Sequence, residues 1–245
     1  WKHDLFPWVE VAHPVLGKRE VLEKGSNFEG VLRKEVRALI SEHIVLGAAL
    51  MPGAGFLEAM SSAGAAAMEP PLGQSLDLSG KKRSAYDLVC LEEVMFEKPL
   101  RLLKARSGGS EEAKEQTVRI TVSGEEVSNL THCCAPPMAI EFLSRAEGED
   151  DFSAHGSARL TAFAPPDEAV TSSVEEVGTV KERCPHTADI SSFYSQLKAL
   201  GLQYEGRFQT VQDIAVGDDE AISRLKLPAT AAFERGFGFH PALLD

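Results

Sequence analysis

The sequence predicts an α+β fold in which antiparallel strands surround one buried helix. The stretch from about Pro52 to Met68 is rich in Ala, Gly and Ser and poor in charge, which is typical of a buried helix rather than an exposed one. Several later segments alternate apolar and polar residues, most cleanly over 116–122, and a period of two predicts half-buried strands. Residues 1–165 are therefore expected to form an antiparallel sheet around a central helix.

Further strands are predicted on both sides of this helix. Before it, one strand is expected near Val21 and Leu22, and residues 28–40 predict another strand and a short turn. After it, apolar runs bounded by turn residues predict strands at 87–96, 99–103, 116–122, 138–143 and 153–161. The small side chains of the helix would let such a sheet wrap closely around it.

The remaining sequence predicts a second structural half. Residues 166–185 are expected to be a linker, because this stretch is polar, acidic and rich in Ser and Thr. In the half that follows, 186–245, a helix is expected to begin at Asp189 or Ser191 and to stop at Gly201. Beyond it, 208–216 and 221–227 predict a hairpin around a turn at 217–219.

The overall composition is that of a soluble globular protein of 245 residues, 43% of them hydrophobic. The net charge of −12 argues against nucleic acid as the main partner, because phosphate binding needs a basic surface. The sequence contains no apolar run of membrane-spanning length and no visible signal peptide, so a cytoplasmic location is expected. It begins at Trp1 rather than Met, which is typical of a segment of a longer chain.

The cysteines predict neither a disulfide framework nor a metal centre. Cys90, Cys133, Cys134 and Cys184 are not spaced like a disulfide scaffold, so reduced thiols are expected. A site that combines His132-Cys133-Cys134 with Cys184-Pro185-His186 is disfavoured, because neighbouring residues rarely chelate one tetrahedral ion well and no Cys-x-x-Cys is present.

His43 is the first candidate for chemistry. It lies beside an apolar run and just before the small-residue turn that opens the central helix. An imidazole against apolar walls can act as a base near neutral pH, and the N–H groups of a first helical turn can bind a carbonyl oxygen. A lone histidine in such a place is more often a hydrogen-bonded core residue. On these residues alone, both interpretations stay open.

Four motifs in order along the chain carry a resemblance to a known family. They are His-x-x-x-Gly-x-x-x-x-Pro at His43, Gly47 and Pro52, the strand Leu91-Glu92-Glu93-Val94-Met95-Phe96-Glu97-Lys98-Pro99-Leu100, the segment Gly201-Leu202-Gln203-Tyr204-Glu205-Gly206-Arg207-Phe208, and His-Pro-x-Leu-Leu-Asp from His240 to Asp245. With these motifs, nearly the whole chain resembles the dehydratase domains of polyketide synthases and animal-type fatty acid synthases.

The resemblance implies a double hot-dog fold, in which two antiparallel sheets each wrap around a central helix. The active site would lie in a tunnel where the halves join, with the histidine from the first half and the aspartate from the second. The family pattern continues beyond its aspartate with a second central helix. Because this sequence stops at Asp245, the second hot-dog is expected to be incomplete.

The resemblance also implies a reaction, the loss of water from a 3-hydroxyacyl thioester to give a 2-enoyl thioester. His43 would be the base and would need to be neutral, which burial favours by lowering its pKa. Asp245 would protonate or orient the leaving hydroxyl, with a pKa raised by burial. Gly47 and Pro52 would help to polarise the thioester carbonyl, and Tyr204 and Phe208 would contact the substrate.

The implied partners are an acyl carrier protein, which brings the substrate on its phosphopantetheine arm, and neighbouring synthase domains. No cofactor and no metal are expected within the domain, and homodimerisation stays open. Basic residues near the predicted strand at 99–103 are either a carrier-protein docking site or a solvated edge: Lys98, Arg101, Lys104 and Arg106.

Other interpretations stay open beside the dehydratase. On the same fold, a product-template, isomerase or cyclase-type domain would use the same pair, and a non-catalytic domain would bind acyl chains or dimerise. Asp245 would also suit a helix N-cap, and Tyr204 a packed strand residue. His13 and His240 are interpreted as loop anchors and His155 as structural.

Two motif positions depart from the family pattern. Glu205-Gly206 replaces the usual Gly-Pro after the tyrosine, and Glu42 replaces the aspartate that commonly precedes the histidine.

Overall fold

A computed structural model of the chain describes residues 8–10, 13–68, 89–103, 114–124, 138–162, 177–227 and 232–245. Several sequence predictions fall outside these ranges: the start of the strand at 87, His132, Cys133, Cys134, Lys104 and Arg106. Among the described residues, no helix is long and apolar enough to cross a membrane.

The described part of the chain contains thirteen strands and five α-helices. The strands are β1 (Trp8–Glu10), β2 (Lys18–Leu22), β3 (Gly25–Val31), β4 (His43–Val45), β5 (Ala48–Ala49), β6 (Val89–Phe96), β7 (Gln116–Gly124), β8 (Met138–Ala146), β9 (Ser153–Ala162), β10 (His186–Thr187), β11 (Leu202–Tyr204), β12 (Val211–Val216) and β13 (Ala221–Leu225). The α-helices are α1 (Lys34–Ile40), α2 (Gly53–Met68), α3 (Val177–Arg183), α4 (Ile190–Ala199) and α5 (Pro241–Leu244), and 3₁₀ turns occupy Gly206–Phe208 and Ala232–Gly236.

Seven strands form the main sheet in the order β1-β2-β3-β7-β8-β9-β6, and every neighbouring pair is antiparallel. Helix α2 packs on this sheet and supplies much of the core. The Phe56 ring lies 4.9 Å from the Phe142 ring in an edge-to-face contact, and Met60 and Ala63 are fully buried. Gly64 lies directly under Leu160 of β9. A sheet wrapped around one buried, small-residue helix is what the sequence predicts.

The alternation that predicts strands is visible in the burial pattern of β7. Gln116, Val118, Ile120 and Val122 are buried, and the residues between them are partly exposed. Because side chains of a strand point to opposite faces in turn, one face of β7 joins the core. The amide of Gln116 is satisfied there by the carbonyl of Arg101, which accepts from its Nε2 at 3.0 Å.

Two predictions before and after α2 are wrong in detail. Residues Lys34–Ile40 form helix α1, where only a strand and a short turn are predicted for 28–40. The helix forms because Val36, Leu39 and Ile40 recur on one face and are buried there. The strand predicted at 99–103 is reduced to a single bridge between Leu50 and Arg101.

The later part of the chain builds a small sheet of β10, β12 and β13, with α4 beside it. Asp189 caps α4, because its Oδ2 accepts the Ser192 N–H at 2.6 Å, which settles which of the two predicted caps is used. The end of the predicted linker forms α3, and Arg183 of α3 is paired with Glu220. The boundaries 1–165, 166–185 and 186–245 stay a prediction.

A third sheet connects the early and late parts of the chain. It consists of β4 and β5, which form a hairpin, and β11, which pairs with the other edge of β4. Its register places Tyr204 opposite His43. Two segments that are distant in sequence therefore meet at the histidine.

Candidate active site

The β4–β5 hairpin holds His43 at one end and a tight turn at the other. Val45 pairs with Ala48, so the turn consists of Leu46 and Gly47, whose φ angles are 50° and 77°. Positive φ at both central residues is typical of the two-residue turns that match the twist of a hairpin. The turn is held to β11 because the Leu46 N–H donates to the Gly201 carbonyl at 2.7 Å.

His43 is buried, and its ring orientation is fixed from both sides. Its Nδ1 lies 2.7 Å from the Leu50 carbonyl oxygen, which can only accept, so Nδ1 carries a hydrogen. The Tyr204 ring stacks on the imidazole with centroids 5.5 Å apart, and the Phe208 ring lies 5.1 Å away. The other ring nitrogen, Nε2, is therefore the one available for chemistry.

Asp245 faces this nitrogen. Its Oδ2 lies 3.1 Å from Nε2 of His43, and both side chains are largely buried. The side chain of Tyr204 also interacts with this carboxylate. Asp245 is the C-cap of α5, whose N-cap is His240, and the role of Asp245 as a helix N-cap stays a prediction. The structure thus brings together four of the sequence-predicted site residues: His43, Asp245, Tyr204 and Phe208.

The electrostatics of the pair differ from the sequence-based expectation. Burial disfavours the charged form of His43, but the hydrogen bonds to Asp245 and Leu50 outweigh it and raise the pKa of His43. Burial likewise disfavours ionised Asp245, but its contact with His43 outweighs burial and lowers the pKa of Asp245. The sequence-based expectation was a lowered pKa for His43 and a raised pKa for Asp245. Both directions are wrong because they consider burial alone. In the fold, each group is the partner of the other.

The geometry allows the two groups to share one proton. Since Nδ1 already carries a hydrogen, a proton shared by Nε2 of His43 and Oδ2 of Asp245 belongs to one or the other. With that proton, the pair is either an imidazolium and a carboxylate, or a neutral imidazole and a carboxylic acid. The pKa directions favour the charged arrangement at rest, and the two sites titrate as a unit. The neutral arrangement contains both a base and a proton donor.

Two of the predicted site residues, Gly47 and Pro52, have other described roles. Gly47 lies in the exposed turn at the opposite end of the hairpin from His43. Pro52 is buried just before α2, where its carbonyl accepts the Gly55 N–H at 2.9 Å. Their described roles are in the hairpin turn and the helix start. Their predicted role at the thioester carbonyl stays a prediction.

A buried carboxylate in the central helix was not singled out by the sequence analysis. Glu58 is fully buried, and its Oε2 lies 2.7 Å from Nε2 of His13. Its Oε1 accepts the Gly238 N–H at 2.8 Å. An acidic residue alone within an Ala- and Gly-rich helix was the available signal. Glu58 holds the segment before β2, helix α2 and the segment before α5 together.

Three other histidines, His13, His155 and His240, have structural partners, in agreement with their predicted roles. His13 Nδ1 accepts the Leu16 N–H at 3.1 Å, and His240 Nδ1 accepts the Ala242 N–H at 3.2 Å. His155 lies 2.7 Å from the Ser144 hydroxyl. No cluster of three His, Cys, Asp or Glu side chains suited to a metal occurs among the described residues.

A cavity of about 630 Å³ lies on the side of the β4–β5 hairpin that faces α1. Arg37 and Arg101 line it together with Ser41 and Gly47, and neither His43 nor Asp245 is among its lining residues. Its volume is typical of ligand pockets, but the imidazole and carboxylate of the buried pair do not line it.

The fold and the buried pair together point to one class of protein, the hot-dog hydro-lyase domains. Two sequence models agree: that of the polyketide synthase dehydratase domain matches residues 13–131, and that of the polyketide synthase dehydratase N-terminal domain matches residues 174–245. The chain belongs to the dehydratase domains of polyketide synthases, which eliminate water from a hydroxyacyl thioester.

Similar proteins fall in the same family. The chain is 26% identical over 244 residues to the pikromycin polyketide synthase component PikAII of Streptomyces venezuelae, a match that covers 95% of the chain and 5% of that synthase. Two solved structures of the CurK dehydratase superpose with a TM-score of 0.69. One is described as an inactive mutant with histidine replaced by phenylalanine (22% identical; 95% of the chain, 70% of that structure). The other is an inactive mutant with aspartate replaced by asparagine (23% identical; 95% and 70%).

The solved structures establish the double hot-dog fold. Across eight curated synthases that it matches, the chain spans 3% to 12% of their length.

Proposed function

We propose that His43 and Asp245 eliminate water from a 3-hydroxyacyl group held as a thioester on the phosphopantetheine arm of an acyl carrier protein. The observation that carries the proposal is the 3.1 Å contact between Nε2 of His43 and Oδ2 of Asp245 in a buried site. The inactive histidine and aspartate mutants of the CurK dehydratase support the same pair of residue types.

The reaction begins from the neutral arrangement of the pair. Nε2 of His43 takes the proton from the carbon next to the thioester carbonyl, and the electrons of that C–H bond form the new double bond. The bond between the β-carbon and its oxygen breaks, and the proton of Asp245 joins the leaving hydroxyl to make water. The products are the 2-enoyl thioester, an imidazolium and a carboxylate.

This step leaves the imidazolium of His43 and the carboxylate of Asp245, which is also the arrangement favoured in the substrate-free site. Transfer of the proton from His43 back to Asp245 restores the neutral arrangement, so a turnover needs no proton from bulk water. A water-excluded site favours that return, because a charged pair is costly in a low dielectric. Substrate that fills the site would therefore promote the reactive arrangement.

Aromatic neighbours complete the proposed site. Tyr204 would orient Asp245 through its hydroxyl, and its raised pKa, caused by burial and by Asp245, keeps that hydroxyl protonated. Phe208 is 3% exposed and would exclude water from one face of His43. Within this scheme the domain needs no cofactor or metal of its own.

The proposed partners follow from the reaction and the relatives. The substrate would arrive on an acyl carrier protein, and the matched synthases are far longer than the chain, so neighbouring synthase domains would flank it. A cytoplasmic location fits these partners. Homodimerisation stays a prediction.

Product analysis tests the proposal. The full-length protein is incubated with a 3-hydroxyacyl group on an acyl carrier protein, and the acyl chain is analysed by mass spectrometry and NMR. We expect the loss of one water and a 2,3-double bond. The His43→Phe variant should form no product, and the matched control His186→Phe, at an exposed histidine, should react like the wild type.

Other products would contradict the proposal. A migrated double bond would indicate an isomerase, and ring closure would indicate a cyclase or product-template domain. If the full-length protein showed no turnover, the remaining candidate function would be acyl binding or dimerisation without catalysis.

A further inference from the structure

Arg207 lies between two carboxylates beside the catalytic pair. Its Nε lies 3.0 Å from Oε1 and 2.9 Å from Oε2 of Glu42, and its backbone N–H donates to Oε2 of Glu42 at 2.6 Å. Its Nη1 donates to Oε1 of Glu234 at 2.8 Å. The Arg207 side chain is 18% exposed and that of Glu234 is fully buried, so these contacts are shielded from solvent.

Each of the two carboxylates is connected to one member of the catalytic pair. Glu42 immediately precedes His43, and its carbonyl accepts the Glu205 N–H at 2.9 Å. Glu234 lies 3.4 Å from Nε2 of His240, a contact without hydrogen-bond geometry. His240 caps α5, whose C-cap is Asp245. Contacts therefore run from the base through Arg207 to the helix that carries the acid.

The arginine contact accounts for two of the residues that depart from the family motifs, Gly206 and Glu42. Gly206 has φ of 48°, and a Cβ at this position would lie 2.5 Å from Oε2 of Glu42. Proline is excluded there, because its ring fixes φ near −65°. Glu42 has one methylene group more than the aspartate usual at its position. Glycine at 206 and glutamate at 42 thus form a matched pair that makes room for Arg207.

We propose that Arg207 is a positioning residue for the dehydration, which holds His43 and Asp245 in register through Glu42 and Glu234. This role rests on the function proposed above. The planar guanidinium engages two carboxylates at once through separate nitrogens, which the single ammonium of lysine cannot do with the same geometry. Opposite charges on both sides stabilise the buried cation and raise the pKa of Arg207.

Kinetics of the Arg207→Lys variant test this role. We expect kcat for the full-length protein to fall by about tenfold to a hundredfold, because small misplacements of reacting groups have effects of this size. KM should stay within about twofold, since substrate contacts are unchanged. Arg183→Lys is the matched control, because Arg183 also forms an ion pair with a glutamate, Glu220, but outside the site. An unchanged kcat in Arg207→Lys would overturn the proposal.

A titration of His43 separates positioning from simple stabilisation. NMR of the substrate-free protein should show the pKa of His43 falling toward its ordinary value in Arg207→Lys, because the contact with Asp245 loosens. Asp245 and Tyr204 are the titratable groups that contact His43. A loss of thermal stability with an unmoved His43 titration would mean that Arg207 is only structural, and would overturn the proposal.

A second variant covers the case in which Arg207→Lys does not fold. Glu42→Gln removes one charge but keeps an acceptor for the Arg207 N–H. We expect the same shift in the His43 titration for this variant. If the wild type forms no dehydrated product, the proposed function fails by itself. The His43 titration then still decides whether Arg207 aligns the pair.

Discussion

At the scale of single residues, one backbone carbonyl determines what the proposed catalytic pair can do. The Leu50 oxygen, 2.7 Å from Nδ1 of His43, fixes the tautomer and so leaves Nε2 to share a proton with Asp245. The sequence identifies the two side chains, but it does not identify this carbonyl, because any residue type at position 50 supplies one. The directions of the pKa shifts cannot be predicted from the sequence either, since they depend on the 3.1 Å contact between His43 and Asp245.

The shared proton predicts the pH dependence of the reaction. The pKa of Asp245 is lowered from 3.8 and that of His43 is raised from 6.5. At a pH between the two shifted pKa values, the pair therefore holds one proton, which the leaving hydroxyl needs. As pH rises through the raised pKa of His43, this proton is lost. We therefore expect kcat/KM to fall on the alkaline side, measured from about pH 5 to pH 9. A kcat/KM that rises through that pKa would show that His43 acts alone as a free base.

At the scale of elements, α2 decides how closely the sheet can wrap. Its Ala and Gly residues predict a buried helix, and Ala59, Met60 and Ala63 have no exposed surface. Strand β7, whose alternation is the cleanest, is predicted to within two residues. Helix α1 was missed because its apolar residues extend over only two turns, which a short pattern does not distinguish from a strand and turn.

Gly64 provides a test of this close packing. A Cβ at Gly64 would lie 2.5 Å from Cδ1 of Leu160, so Gly64→Ala should cost about 1–3 kcal/mol in overpacking, more than the roughly 1 kcal/mol that helix propensity returns. Gly178→Ala is the matched control in α3, where a Cβ meets no atom within 4 Å. Urea unfolding should show Gly64→Ala less stable than the wild type and Gly178→Ala at least as stable. Equal stability of Gly64→Ala and the wild type would contradict the packing.

At the scale of the whole molecule, the site exists only where distant segments meet. β4 and β11 pair directly, and Arg207 contacts Glu42 across 165 positions of sequence. Glu58 holds the early segment, the central helix and the segment before α5 together. Ordered motifs allowed His43 and Asp245 to be predicted as partners, through the resemblance. Arg207 and Glu58 were not predicted, because their roles arise from contacts that only the tertiary fold creates.

The central proposal is that His43, from the early part of the chain, and Asp245 form one catalytic unit, and Asp245→Asn tests it most directly. In the full-length protein, the initial rate of 2-enoyl thioester formation should fall by about 10²–10⁴ in this variant, because asparagine cannot supply the proton. Asp213→Asn, at an exposed aspartate paired with Arg224, should keep the wild-type rate. A wild-type rate in Asp245→Asn, with the fold intact by circular dichroism, would contradict the account.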